Sequence, residues 1–407
     1  MTILFLTLSK SFLNPDFVSQ RGIYTDLLRE FEKNGHRVYV VAPAERRNMQ
    51  DTRLIEAGPM HLLQVKTGNI KNTNPIEKGI STVLLERQFV RAIKKHLNVV
   101  KFDLVLFSTP PITFERVVRF IKKRDQAKSY LLLKDIFPQN AVDMGFFGIY
   151  NPLFWYFRRK EKKLYRISDF IGCMSPANVT YLQKHNTWLK QKPVEVCPNS
   201  IEPLKAFISE YHKKTVRQKY GLPEESMVFI YGGNLGKPQG LDFLLEIIEQ
   251  SLSIKDVFYL IIGTGTEYKK LESWFNRVRP SNARLLPAVP KKDYDRLIQA
   301  ADVGMIFLDR RYTVPNFPSR LLSYLECSMP VISATDTNTD IGTIMEENGF
   351  GLWCESGDTG RFMANLKTFL AYPEKAKAMG KKGRTFLEKN YLVSDAYQTI
   401  MKHFENV

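Results

Sequence analysis

Ser319 and Arg320 stand where a proline-broken loop meets an apolar helical pattern, in the stretch TVPNFPSRLLSYLECSMPVISATD from Thr313 to Asp336. A helix start offers unpartnered backbone N–H groups and the positive end of the helix dipole. A hydroxyl able to cap it, a guanidinium beside it and the N–H groups of Leu321 and Leu322 together suit a phosphate. The plainer reading is an ordinary helix–strand unit with a good cap. Glycines and charges recur in the same kind of place. In GGNLGKPQG, Gly232, Gly233 and Gly236 permit close backbone approach to a ligand, and Lys237 adds a point charge. In IIGTGTEYKKL, Gly263 and Gly265 end a strand before a helix that Thr266 would cap. Near the start of the chain, Arg21 and Gly22 follow the first apolar run, and Arg21 reads as a phosphate ligand or as a surface arginine. In LLLKDIFPQN, Lys134 and Asp135 close an apolar strand, where an ionisable pair beside a binding edge is expected to show shifted pKa values. Its alternative is a structural salt link between the two.

The elements that must position these residues follow one grammar in both halves. ILFLTL, a glycine-bearing loop, YTDLLREFEKNG and HRVYVVAP read as strand, loop, helix and strand. DLVLFSTPP and SYLLLKDIFP read as further strands with loops at their C-terminal ends. From about residue 200, MVFIYGGNLGKPQGLDFLLEIIEQ, VFYLIIGTGTEYKKLESWF, ARLLPAVPKKDYDRLIQAADVGMIFL and RLLSYLECSMPVISAT repeat the alternation. That order predicts parallel sheets with right-handed crossovers, and ligands at the carboxyl ends of the strands. PVEVCPNSIEP, with three prolines, reads as the linker between the halves. The expected class is α/β, with an N-terminal domain over 1–196 and a C-terminal one over 197–389. A last helix, about 390–407, crosses back onto the first.

Composition narrows the chemistry. The chain has 407 residues, 44% hydrophobic and 25% charged, the balance of a soluble globular protein. No apolar run approaches the ~20 residues a spanning helix needs. MTILFLTLSKSF lacks a basic leader pattern and reads as a first strand, so a cytoplasmic protein is expected. Cys173, Cys197, Cys327 and Cys354 show no paired spacing and the six histidines are scattered, which argues against a metal site or a disulfide framework. The net charge of +17 calls for an anionic partner, whether nucleic acid, membrane or substrate. With no nucleic-acid-binding signature in the chain, nucleic acid ranks last.

YGGNLGKPQGLD, GTGTEYKKLE, AADVGMIFL and PSRLLSYLECSMPVISATD occur in an order and spacing that resemble the retaining glycosyltransferases of the GT-B fold, family 4. KDIFPQNAVDMG is similar to the subgroup that builds bacterial surface polysaccharides. The resemblance covers nearly the whole chain. It implies two tandem Rossmann-like doubly wound αβα domains facing a cleft, with the acceptor mainly on the first and the donor mainly on the second. The activity implied is hexosyl transfer from a nucleotide-sugar, a UDP-sugar as co-substrate, with retained configuration. No metal and no further cofactor is implied, because basic groups and a helix start stabilise the departing diphosphate.

The resemblance also implies roles. Many members carry an Arg and a Lys where this chain has Asn234 and Gln239, so Lys237 and Arg320 are the candidates to replace that pair. Many carry two glutamates with seven residues between them where Pro315 and Ser323 stand here. Glu326, one helical turn after Ser323, is the candidate for the ribose, and Asn316 for the donor sugar. Asp135 matches a frequent family aspartate and would orient the acceptor hydroxyl or the donor sugar. Asp135, Lys237 and Arg320 are thus the expected catalytic residues. Arg21, Gly22, Gly233, Asn234, Gly236, Gln239, Gly263, Gly265, Asn316, Ser319, Leu321, Leu322, Ser323 and Glu326 are the expected donor contacts.

NPLFWYFRRKEKKLYRIS sets an aromatic cluster before a basic one, and RFIKKRDQAK adds charge in the same half. Such a segment suits an anionic membrane surface and a polyprenyl-diphosphate-linked saccharide acceptor. Its alternative is a solvated helix whose aromatics enter the core. Two other functions compete: a non-catalytic sugar- or lipid-binding partner of polysaccharide assembly, and a nucleotide-sugar 2-epimerase, for which the expected carboxylates and histidines are scarce.

Overall fold

Short apolar runs buried on both faces build the centre of each sheet. In the computed structural model, which describes residues 1–407 except 14, 59, 71, 72, 206 and 405–407, the run Thr2–Leu6 (β1) is buried at every position. Further strands are Arg37–Glu45 (β2), Arg53–Ala57 (β3), Met60–Thr67 (β4), Leu104–Ser108 (β5), Lys128–Leu133 (β6), Phe170–Cys173 (β7) and Val194–Val196 (β8). They form one sheet in the order β3-β4-β2-β1-β5-β6-β7-β8, parallel throughout except for the antiparallel β3–β4 pair. A second sheet takes Met227–Asn234 (β9), Val257–Thr264 (β10), Ala283–Pro287 (β11), Val303–Phe307 (β12), Val331–Thr335 (β13) and Gly351–Glu355 (β14). Its order is β11-β10-β9-β12-β13-β14, all parallel. The chain steps outward from β9 on one side and resumes at β12 on the other. This reversal is where open α/β sheets receive ligands.

The chain falls into two units, Met1–Ile201 with Val393–Val407 and Glu202–Leu392. The divisions stand five and three residues beyond the expected 196/197 and 389/390. In the first unit, helix Val393–Met401 lays Val393, Ala396 and Ile400 on a core shared with Leu27, Leu28 and Phe31. The Tyr397 ring meets Phe31 edge-on at 5.1 Å, and its hydroxyl lies 2.9 Å from His36 Nε2. Lys402 and His403 reach Glu195 in β8, at 2.5 and 2.8 Å. Residues 405–407 of the expected last helix lie outside the described residues.

Two local expectations need correction. The expected linker begins as an edge strand: Val194–Val196 pairs in parallel with β7, because Pro193 and Pro198 flank the pairing residues and do not interrupt them. β3, β4, β7 and β14 were not anticipated. Elsewhere the periodicity is direct: helix Tyr268–Val278 buries Leu271 and Trp274 and packs Phe275 and Val278 against the same core.

The ends of β9 and β10 are nested so closely that side chains are excluded. A Cβ at Gly263 would sit 1.9 Å from the Gly233 carbonyl oxygen, and one at Gly265 would sit 2.1 Å from that of Leu235. Gly263→Ala is therefore expected to destabilise the fold by about 3 kcal/mol, the upper end for overpacking, because the obstructing atom is backbone. Urea unfolding of the purified variant measures this; a loss under about 1 kcal/mol would show that the strand ends can part.

Candidate functional site

In the second unit, the sequence-predicted residues gather at the carboxyl ends of β9, β10 and β12. Gly233 adopts φ +117, a conformation that favours glycine, and a Cβ there would meet open space. Gly233 and Asn234 are exposed at the tip of β9. Gly232 serves another purpose: a Cβ there would strike the Tyr294 hydroxyl at 2.1 Å, so this glycine seats an aromatic ring. A Cβ at Gly236 would sit 3.0 Å from the Asn234 side-chain nitrogen. Lys237 and Gln239 lie on the 3₁₀ turn Lys237–Gln239, closed by Gly240 at φ 58, with Asp309 N donating to Pro238 O at 3.0 Å.

Arg320 is the centre of this cluster. Its guanidinium stacks over the Tyr231 ring, 4.1 Å from the centroid, and its Nη2 donates to Gln239 Oε1 at 2.7 Å. The Tyr231 hydroxyl donates to the same Gln239 oxygen at 3.0 Å. Tyr324 is fixed beneath by its hydroxyl, 3.1 Å from the carbonyl oxygens of Ile230 and Met305. Burial pushes the Tyr294 hydroxyl up to about 12, while the Arg320 charge pulls it back. Arg320 Nη1 is buried without a hydrogen-bond acceptor, and no carboxylate among the described residues forms an ion pair with this guanidinium. A buried charge of this kind is costly until an anion meets it.

The helix start itself differs from the sequence reading. Ser319 has helical backbone angles and makes no side-chain cap bond. Leu321 N donates to Pro318 O and Leu322 N to Ser319 O, each at 3.2 Å, because the first turn is wound tightly. These N–H groups are already engaged, and both leucine side chains are buried. Thr266 likewise does not open its helix; the N-cap is Glu267, whose N–H reaches Leu235 O at 2.9 Å. Glu326, expected at the ribose, is buried with Oε1 accepting from Leu204 N at 2.8 Å. Its carboxylate thus holds the backbone at Leu204. Ser323 is half-buried, its carbonyl accepting from Cys327 N. Asn316 is half-buried in the preceding loop, its carbonyl accepting from Thr339 Oγ1 at 3.0 Å.

In the first unit, β5 and β6 deliver Ser108–Thr109 and Lys134–Asp135 to one edge. Thr109 Oγ1 accepts from both Lys134 N and Asp135 N, at 2.9 and 3.1 Å. The two side chains then diverge. Lys134 Nζ lies 3.5 Å from Cys197 O, and burial pulls its pKa down to about 8. The alternative salt link between Lys134 and Asp135 does not form among the described residues. Burial alone pushes Asp135 up to about 6. Tyr24 is pushed up to about 12, chiefly by burial, with the Ser108 hydrogen bond pulling back and the Asp135 charge adding. Thr109, Ser108 and Tyr24 were missed from sequence; the polar pair ending an apolar strand in DLVLFSTPP was the available signal. Arg21 and Gly22 lie before helix Ile23–Lys33, where Gly22 N donates to Asp26 Oδ1 at 3.2 Å and Asp26 pairs with Arg29. The first N–H group of that loop is thus occupied. Gly22 is extended at φ 169 and needs no special freedom.

The Asp135 shift has a definite sign. Its folded-state pKa is raised, so the folded protein holds the proton more tightly, and stability falls as pH rises from about 3.8 through about 6. Above that range the buried charge imposes its full cost. Asp135→Asn is therefore expected to stabilise the protein by up to about 3 kcal/mol near pH 8, a gain that shrinks to nothing by about pH 4. Thermal unfolding of both proteins across that range checks it, and a pH-independent difference would refute the buried-acid assignment.

Residues 212–386 match the family model described as Glycosyl transferases group 1. Over 296 residues the chain is 21% identical to "Probable glycosyltransferase WbjE" of Pseudomonas aeruginosa, covering 70% of this chain and 69% of that protein. It is also 21% identical to "Putative colanic acid biosynthesis glycosyl transferase WcaI" of Escherichia coli (strain K12), over 39% of each. Among solved structures, sucrose-phosphate synthase from Thermosynechococcus elongatus superposes with a TM-score of 0.75 at 14% identity, covering 100% of this chain and 98% of that one. Anabaena Alr3699/HepE in complex with UDP and glucose gives 0.71 at 15%, covering all of both chains. These likenesses establish the fold as two Rossmann-like α/β domains of the GT-B type. Within the second unit, residues 212–386 are thus similar to the glycosyl transferases group 1.

Proposed function

We propose that the protein transfers a hexosyl group from a UDP-sugar to a lipid-linked saccharide in surface-polysaccharide assembly, retaining the anomeric configuration and using no metal. The observation that carries the donor assignment is the Arg320 guanidinium, fixed on Tyr231 and Gln239 and without a carboxylate partner among the described residues. A diphosphate would supply the missing counter-charge. The open space at Gly233 and the exposed Asn234 beside it leave room for the nucleotide, and Lys237 adds charge from the neighbouring turn. As the glycosidic bond to the leaving diphosphate breaks, negative charge grows on its oxygens, and a preorganised cation stabilises that change. Asp135, holding its proton up to about pH 6, is the group on the first unit able to orient or accept a proton from an acceptor hydroxyl. The UDP assignment is supported by the ligand named in the Anabaena structure, and the polysaccharide assignment by the name of the Escherichia coli relative.

The test is release of nucleoside diphosphate from a panel of UDP-, GDP- and dTDP-sugars, with lipid-linked saccharides as acceptors. Arg320→Gln is expected to lower kcat/KM by about 10²–10³, the usual effect of removing one preorganised charge stabiliser. Proton NMR of the product reports the retained anomer, and an inverted product would overturn retention. Turnover that survives both Arg320→Gln and Arg320→Ala would remove Arg320 from the mechanism. Sugar-nucleotide binding without turnover on any acceptor would favour the non-catalytic partner.

A further inference from the structure

Three crossover helices of the first sheet, Pro75–His96, Glu115–Asp125 and Pro152–Ile167, follow β4, β5 and β6 and pack side by side. A crossover between parallel strands runs back against them, so each helix begins at the strands' carboxyl edge. That is the edge carrying Thr109 and Asp135. Glu86 locks the three together, accepting from Arg116 N at 2.7 Å and from Lys160 Nζ at 3.1 Å.

At this end the helices expose large apolar side chains. Ile80, Val83 and Leu84 are exposed near the start of the first helix. Tyr150, Leu153, Trp155 and Tyr156 are exposed at the start of the third, with Tyr150 89% and Trp155 62% exposed. Phe154 alone of the NPLFWYF aromatics is buried, with Phe157 half-buried, so the expectation that these rings enter the core fails for most of them. Such a patch exceeds the scattered apolar residues of an ordinary surface. The charge around it has one sign. Glu86, Glu115, Asp125 and Glu161, which with Glu77 are all the carboxylates of these helices, are buried. Arg87, Arg91, Arg116 and Arg159 are exposed.

We propose that this end of the first unit is a membrane-docking face. Its tyrosines, Trp155 and aliphatic residues enter the interface of an anionic bilayer, and the arginines behind them meet lipid headgroup phosphates. Tyr and Trp favour the headgroup level because their rings are amphipathic. A continuous positive surround matches an anionic leaflet and disfavours neutral lipid. The inference deepens the reading of a lipid-linked acceptor and rests on it only for what is delivered: an acceptor in that leaflet would be presented at the edge that holds Asp135.

Flotation of the full chain with phosphatidylglycerol or phosphatidylcholine vesicles, at low and high salt, tests it. Binding to the anionic vesicles alone, weakened by salt, is expected, with a blue shift of tryptophan emission that Trp155→Phe abolishes. The exposed triple change Tyr150→Ser, Leu153→Ser, Trp155→Ser is expected to cut the bound fraction at least about tenfold. Arg87→Glu with Arg159→Glu is expected to erase the preference for anionic lipid. Unchanged vesicle binding in the triple variant overturns the proposal, as does absence of binding by the parent. Loss of a self-associated form in that variant, with vesicle binding intact, would assign the patch to a second copy of the chain. Nucleotide release with a detergent-soluble acceptor, measured on the same triple variant, is expected to be retained. It separates failure of docking from failure of the transferase reading.

Discussion

Parallel pairing is the constraint on which both sites depend. When neighbouring strands run the same way, every loop that follows a strand emerges at one edge, and every crossover helix starts there. In the second sheet this brings the loops after β9, β10 and β12 together although they are far apart in sequence. The close approach of the β9 and β10 loops then depends on Gly263 and Gly265, which leave room for the carbonyls of Gly233 and Leu235. Those glycines act through backbone packing. The residue whose own conformation favours glycine, with open space before it, is Gly233.

On that edge the choice of Gln239 has an electrostatic consequence. Its amide oxygen orients the Arg320 guanidinium and the Tyr231 hydroxyl together without neutralising the charge. A glutamate in its place would form a buried ion pair and satisfy the arginine internally. A lysine would repel it. A neutral acceptor leaves the full positive charge available to an anionic ligand, held in place by an aromatic face on which a guanidinium packs well. On the proposed donor reading, Asn234 and Gln239 stand in place of bases and Arg320 carries the charge instead.

Much of the architecture was legible because strand–loop–helix alternation and apolar periodicity are local signals. β1, β2, β5, β6 and β9 to β13 stand where their apolar runs suggested, and β14 was not among those runs. β3, β4 and β8 escaped because their pairing is decided by the sheet edge they join, and Val194–Val196 is short and flanked by prolines. Arg320 was singled out by the sequence, but the aromatic groups that hold it were not. Tyr294 enters from a helix well before Arg320, and nothing in its neighbourhood marks it as the ring that Gly232 accommodates. Glu326 was misassigned because helical spacing fixes only relative position. The carboxylate is consumed by Leu204 N, a contact that depends on where the chain enters the second unit. The Ser319 cap failed for a similar reason, since tight winding of the first turn engages its N–H groups without a hydroxyl.

The divergence of Lys134 and Asp135 settles what kind of acid the first unit offers. Had the two met, the carboxylate would be stabilised as an anion and its pKa would fall. Instead Thr109 ties both backbone N–H groups and the lysine turns toward the carbonyl of Cys197. Asp135 is left in a poorly solvated position beside Tyr24, with burial as the only cause of its shift. A carboxylate held this way is more basic than one in water, yet it is ionised at neutral pH. Both properties suit a group that must accept a hydrogen bond from a sugar hydroxyl as that hydroxyl becomes a nucleophile. On the proposed reading, the same burial that destabilises the fold at neutral pH is what fits Asp135 to accept that hydrogen bond, and a structural salt link would have removed both effects together.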